Sequence, residues 1–178
     1  MTAPTAEVAL CTFLGEIGVS HDIHRHAPLF TVADSKAATA HLPGAHTKNL
    51  FLKDKKGALF LVTCMEDRQI RMKPLERALG AKRLSFGSPE LLAEVLGVIP
   101  GAVTPFAAFN DRGSGRVTAV LDQQMMATSP QNFHPLHNAA TIVVEPDGLL
   151  RFFAATGHEP RILDFDALEA ASRPDTAE

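Results

Sequence analysis

Two apolar runs, Leu50 to Lys53 and Ala58 to Cys64, flank Asp54-Lys-Lys-Gly57. Side chains suited to a pleated surface on both sides of a turn ending in glycine predict a β-hairpin. Lys48 stands at its entrance. Helical spacing surrounds this hairpin. Val8, Cys11, Leu14 and Ile17 recur on one face, and Gly18 is placed to end that helix in a left-handed cap. Thr31 and Asp34 form a helix-start signature before an alanine-rich run that Pro43-Gly44 stops. Ser88 followed by Pro89 and Glu90 reads as an N-cap with proline at the first helical position, and Gly97 closes the Leu-rich run after it.

Val117 to Leu121 and Thr141 to Val144 read as buried strands. Glu145-Pro-Asp-Gly148 reads as a turn leading the second of them back into Leu149 to Ala154, and Gly113-Ser-Gly115 as a hairpin turn. Strands and helices are interspersed without regular βαβ spacing. That pattern predicts an α+β fold: a mixed, mostly antiparallel sheet or partly open barrel flanked by helices. A chain of 178 residues, 46% hydrophobic, suits one core, so the expectation is a single domain over 1–170 with a frayed tail at 171–178. No basic-then-apolar leader opens the chain and no run approaches the ~18 apolar residues of a membrane span, so a soluble, cytoplasmic protein without membrane contact is expected.

Charge is unevenly placed. Residues 48 to 83 hold ten of the 17 Lys and Arg against four acids, a local net of +6 that leaves −9 for the rest. One surface suited to a phosphate backbone, with neutral or acidic faces elsewhere, fits this asymmetry; so does an ordinary solvated basic face. No helix-turn-helix pattern with a basic recognition helix is present, which argues against sequence-specific DNA binding. Cys11 and Cys64 form no CxxC pair and are expected as buried thiols. His21, His24 and His26 have poor ligand spacing, because in a strand His21 would point away from the other two, so neither a metal nor another cofactor is expected. No G-x-S-x-G elbow announces a nucleophile.

Three segments gain meaning together: Thr47-Lys-Asn-Leu50, Gly101-Ala-Val-Thr-Pro105 and Phe133-His-Pro-Leu-His-Asn138. In this order, following His26-x-Pro28-Leu-Phe-Thr31, they resemble the YbaK/prolyl-tRNA-synthetase-associated editing domain, over almost the whole chain to Phe153. Within it the chain is most similar to the freestanding alanyl-tRNA(Pro) deacylase branch. The resemblance implies hydrolysis, in trans, of alanine mischarged onto tRNA(Pro), an aminoacylated tRNA as partner, and admits a transient contact with prolyl-tRNA synthetase. It also implies that Lys48, the Gly101/Pro105 loop and His137 line the pocket for the terminal adenosine, with Asn49, Asn138 and Asp122 beside them. Phe30, Ile23 and Leu136 are candidate walls, although each alone reads as core.

The residue types suit the implied chemistry. An aminoacyl ester is reactive enough to need only a placed water and a home for the oxyanion. Gly101 lets backbone N–H groups approach closely, and Pro105 stiffens that loop. Lys48 brings a compact charge for a phosphate. His137 can orient ribose or water, or act as base, and the resemblance further implies that the ribose 2′-hydroxyl helps activate the water. Alanine is selected by size exclusion of proline. Two alternatives stay open: the same hydrolysis on Cys-, Ser- or Thr-charged tRNA, and a noncatalytic module that binds tRNA or a synthetase.

Overall fold

The computed structural model describes residues 3–29 and 37–171. Phe30 and the Thr31 to Asp34 signature lie outside them; residues 37–39, in the alanine-rich run, are helical. The first helix, α1 (Ala3–Glu16), ends as expected, with Gly18 at φ 70° and Val19 N–H closing on Leu14 carbonyl at 2.8 Å. Its buried stripe is rotated from the expected one. Leu10 and Leu14 are fully buried with Glu7, whereas Val8 is 63% exposed. A buried carboxylate on the inner face is tolerable because Arg25 and His137 both hydrogen-bond to it.

The hairpin is present and longer than expected: β2 (Ala45–Lys53) pairs antiparallel with β3 (Leu59–Met65). Its turn is closed by the Asp54 carboxylate, which accepts from Lys56 N–H at 2.7 Å and Ala58 N–H at 2.9 Å. Lys48 is therefore the fourth residue of a strand, opposite Cys64, and not at an entrance. The remaining strands are β1 (His21–Arg25), β4 (Ser85–Phe86), β5 (Val117–Asp122), β6 (Gln131–Phe133), β7 (Ala140–Val144) and β8 (Arg161–Leu163). The sheet runs β1-β7-β6-β2-β3-β5-β8, with β4 beside β2. It is open and mixed: β1–β7, β2–β3, β2–β4 and β6–β7 are antiparallel, and β2–β6, β3–β5 and β5–β8 parallel. The α+β expectation holds.

Helices cover both faces. On one lie α1, α3 (Pro89–Leu96), the 3₁₀ turn Pro105–Ala107, α4 (Ala108–Asp111) and α6 (Pro146–Ala155), burying Leu96, Phe106, Phe152 and Phe153 against Phe51, Leu61, Phe133 and Ile142. On the other, α2 (Met72–Leu79) and α7 (Phe165–Ala170) pack Leu75 and Phe165 over Leu52, Phe60 and Val62. Each such fully buried Leu or Phe contributes about 1.5–3 kcal/mol relative to exposure. Ser88 caps α3 as expected, accepting from Leu91 N–H.

Two turn expectations are corrected. Glu145-Pro-Asp-Gly148 does not return the chain as a strand: Glu145 is the N-cap of α6 and Pro146 its first residue. Proline and an acid suit the first turn of a helix as well as a β-turn, and the spacing of Leu149, Phe152 and Phe153 decides for helix. Gly113-Ser-Gly115 is no hairpin either; it follows α4, with Ser114 and Gly115 N–H groups bonded to Asp111 carbonyl. Among the described residues no helix is long and apolar enough to cross a membrane.

Candidate functional site

Strands β2 and β6 pair in parallel only at Ala45–Gln131 and His46–Asn132. Where that ladder stops, a small cavity of about 30 Å³ opens, lined by Thr47 and Asn49 of β2, Asn132 and Phe133 of β6, His134 just beyond it, and Thr141 of β7. This is room for about one or two waters. His46 and Glu66 also line it, and both line a larger cleft of about 410 Å³ together with Gly44, Met65, Arg68 and Gln124. A small compartment thus adjoins a larger one. Gly44 forms part of the cleft wall at φ 90°, where an added Cβ would meet the Pro130 carbonyl oxygen at 2.0 Å.

Hydrogen-bonding capacity in the cavity is only partly used. His134 donates Nδ1–H to Ala140 carbonyl at 3.3 Å, which leaves Nε2 as an acceptor with no partner among the described residues. Burial holds its pKa below the ordinary histidine value of 6.5, so the neutral ring is favoured. Asn49 Oδ1 accepts from Thr63 hydroxyl at 2.8 Å, and its amide N–H₂ has no partner among the described residues. Asn132 donates Nδ2 to Pro43 and Ala45 carbonyls at 2.9 and 3.1 Å, which fixes its amide, and its buried Oδ1 has no partner among the described residues. An orphaned acceptor of this kind costs about 1–3 kcal/mol.

The cleft side is ionic. Side chains alternate along β2, so Lys48 points to the face opposite Asn49, and its ammonium donates to Arg68 carbonyl. Arg68, itself buried, donates Nε to Asp122 and Nη1 to Asp166, both at 2.7 Å, and Nη2 to Gln124 at 2.6 Å. The Asp166 and Asp122 contacts raise its pKa further. Asp122 also accepts from Met65 N–H and caps α5 (Gln123–Met126) through Gln124 N–H. Beside Lys48, burial pushes the Cys64 thiol up to about 12.

The residues expected at the site divide accordingly. Asn49 lines the cavity and Lys48 meets the cleft through Arg68, whereas Asp122 lies beneath the cleft as the fully buried partner of Arg68. His137 is elsewhere: Ala139 N–H donates to its Nδ1, so Nε2 carries the proton and donates to Glu7 at 2.7 Å. Glu7 also receives both guanidinium nitrogens of Arg25, first among the causes that lower its pKa. Asn138 is spent on Leu29 carbonyl at 2.7 Å. Gly101, at φ 85°, is exposed and does not line the cavity; Pro105 is buried and starts the 3₁₀ turn whose Phe106 packs edge-on against Phe133 at 5.6 Å. Ile23 packs against the core, and Phe30 lies outside the described residues. Leu136 is buried at φ 68°, a left-handed conformation that costs a bulky residue about 1–3 kcal/mol and marks the loop as tightly constrained.

Sequence reasoning passed over His134, Asn132, Glu66 and Arg68. Only His134 left a signal, as the other histidine of the same quoted segment. His21 and His24 line a separate groove with His41 and Asp22; among the described residues no three His, Cys, Asp or Glu side chains are grouped to hold a metal.

The profile of the aminoacyl-tRNA editing domain matches residues 26–152, a span that contains the whole cavity lining. The prolyl-tRNA synthetase associated domain-containing protein 1 of Danio rerio is 42% identical over 156 residues, covering 86% of this chain and 84% of its own. The prolyl-tRNA editing protein ProX of Acetoanaerobium sticklandii is 31% identical over 154 residues, covering 86% of this chain and 93% of its own. A crystal structure described as a candidate trans-editing enzyme for prolyl-tRNA synthetase shares the fold at TM-score 0.66 and 19% identity, over 89% of this chain and 95% of that one. This chain belongs to the aminoacyl-tRNA editing domain family.

Proposed function

We propose that this chain is a trans-acting deacylase that hydrolyses the ester of mischarged Ala-tRNA(Pro), with the terminal adenosine in the cleft and the alanyl methyl in the cavity. The observation that carries this reading is the cavity's combination of small volume with unused hydrogen-bonding capacity at His134, Asn49 and Asn132. An α-ammonium at the boundary of cavity and cleft meets the Glu66 carboxylate, which lines both, and about 30 Å³ suits a methyl better than a proline ring.

The water that attacks the ester carbon is placed by His134 Nε2, which accepts its proton directly or through the ribose 2′-hydroxyl. As the carbonyl oxygen gains charge, the Asn49 amide donates to it, taking the oxyanion role expected of the Gly101 loop. The ester C–O bond breaks, the ribose oxygen regains a proton from His134, and alanine leaves. Lys48 contributes a phosphate contact at the cleft. His134 thus takes the part expected of His137, whose polar atoms are already paired.

The test is a panel of Ala-, Cys-, Ser-, Thr- and Pro-charged tRNA incubated with purified protein, with and without chelator, and with 2′-deoxy substrate charged at the 3′ position. Rapid loss of alanine from Ala-tRNA(Pro), sparing of Pro-tRNA(Pro), chelator insensitivity and slow cleavage of the deoxy substrate are expected. Faster release of cysteine, serine or threonine would move the assignment to that amino acid. Binding without turnover on every charged tRNA would replace the enzyme by a noncatalytic module.

A further inference from the structure

At the end of β2 away from the cavity, Lys53, Lys55, Lys56, Lys82 and Arg83 stand exposed on one tip of the molecule. The backbone brings them together. Lys55 N–H donates to Lys82 carbonyl at 2.9 Å, and Lys53 pairs with Ser85 in the β2–β4 ladder. The 80–84 loop is fixed from below, since the Glu76 carboxylate accepts from Leu84 N–H at 2.7 Å and Arg83 is held at φ 55°. None of the five cations has an ion-pair partner among the described residues, and the nearby Asp54 carboxylate is turned into its own turn. Phe86, 62% exposed, stands beside them on β4.

Five exposed cations without an ion pair among the described residues form a local basic patch on a chain of net charge −3. Their spread over two loops suits a run of phosphates better than one, and a flanking exposed aromatic suits a base or ribose face. From Asn49 to Lys53 the strand covers ~13 Å at about 3.3 Å per residue, so one polyanion can occupy both tip and cavity. We infer that the hairpin tip and the 82–86 segment form a second anchoring surface for the phosphodiester backbone of the tRNA acceptor arm. The inference rests on the proposed function for the identity of the polyanion.

The experiment compares the intact chain with a Lys55→Glu/Lys56→Glu/Lys82→Glu variant, whose changes are all at exposed positions, after circular dichroism and thermal melting confirm an unchanged fold. Three readouts are taken: affinity for uncharged tRNA against salt, kcat/KM on Ala-tRNA(Pro), and kcat/KM on 3′-alanyl-adenosine, which carries no phosphate to place at the tip. The expected result is a salt dependence for tRNA shallower by about 2–3 in log–log slope, roughly one for each phosphate that is no longer neutralised. The drop in kcat/KM should be at least tenfold on tRNA and negligible on the alanyl-adenosine. Unchanged tRNA affinity and salt slope overturn the surface, as does an equal drop on both substrates. Patch-dependent binding without deacylation by the unmodified protein overturns the enzymatic reading and leaves the surface standing.

Discussion

The junction between α1 and β1 and the cavity between β2 and β6 each hold a histidine from the same loop, yet they use it differently. At the junction every strong partner is spent: Glu7 takes Arg25 and His137, and the other nitrogen of His137 takes Ala139 N–H. In the cavity His134 uses one nitrogen, Asn49 one end of its amide, and Asn132 leaves a buried oxygen with nothing. A polar cluster whose bonds are all made fixes structure; one with capacity left over is prepared for a group that has yet to arrive.

The sharpest way to break this contrast is to remove each histidine. His134→Ala is expected to lower single-turnover deacylation by about 10²–10⁴, the range for loss of a general base, with little change in melting temperature. His137→Ala should instead cost about 1–3 kcal/mol in urea unfolding, because it leaves a buried Glu7 oxygen short of a donor, while kcat stays near that of the parent. Swapped outcomes would return the catalytic role to His137.

Acid separates the same two regions by their titration windows. His134 has a lowered folded pKa, so the neutral ring and its contribution to stability persist above the unfolded value of 6.5 and are lost as pH falls through the lower folded one. The acid limb of kcat/KM is therefore expected below pH 6.5. Glu7 is lowered from 4.5 chiefly by its hydrogen bond to Arg25; the stability it supplies is present above that pH and lost as pH falls through its folded value. A pH–rate profile whose acid limb lies above 6.5 would detach it from His134. Coincident loss of rate and of near-UV ellipticity would merge the two windows.

Smaller effects sharpen the boundary of the site. Lys48→Ala is expected to raise KM for charged tRNA roughly tenfold, about the 1.4 kcal/mol of one charged contact, with kcat little changed. At Gly101 a Cβ meets no atom within 4 Å, but φ 85° strains any L side chain. Gly101→Ala should cost about 1 kcal/mol of stability and almost no kcat, whereas a loss of 10²–10³ in kcat would restore its oxyanion role.

Local chemistry was legible in the sequence where the deciding atoms are close along the chain. The Asp54–Gly57 turn, the Ser88 cap and the Gly18 and Gly97 stops are of this kind. The turn at Glu145 was misread because its proline and acid serve either structure, and only the next helical turn, Leu149 to Phe153, separates them. Sheet order was not legible: β6 reaches β2 through two residue pairs far apart in sequence. The site shows the same divide. Segment 47–50 was recognised, but which face each side chain takes follows from the strand's alternation, which sends Asn49 to the cavity and Lys48 toward Arg68. Nothing in Phe133-His-Pro-Leu-His-Asn138 sets its two histidines apart; what distinguishes their surroundings is the contact of His137 with Glu7, 130 positions away.

Gly44 gives the cleft a wall that substitution cannot reshape. Even the smallest side chain there would overlap the Pro130 carbonyl, and Ala45 N–H is bonded to that same oxygen at 2.8 Å, so the backbone has no room to retreat. Selection for a different occupant of the cleft has to act through its other lining side chains, such as Glu66 and Asp67, where a change need not move the Gly44 backbone. The cleft is fixed at Gly44 and adaptable around it.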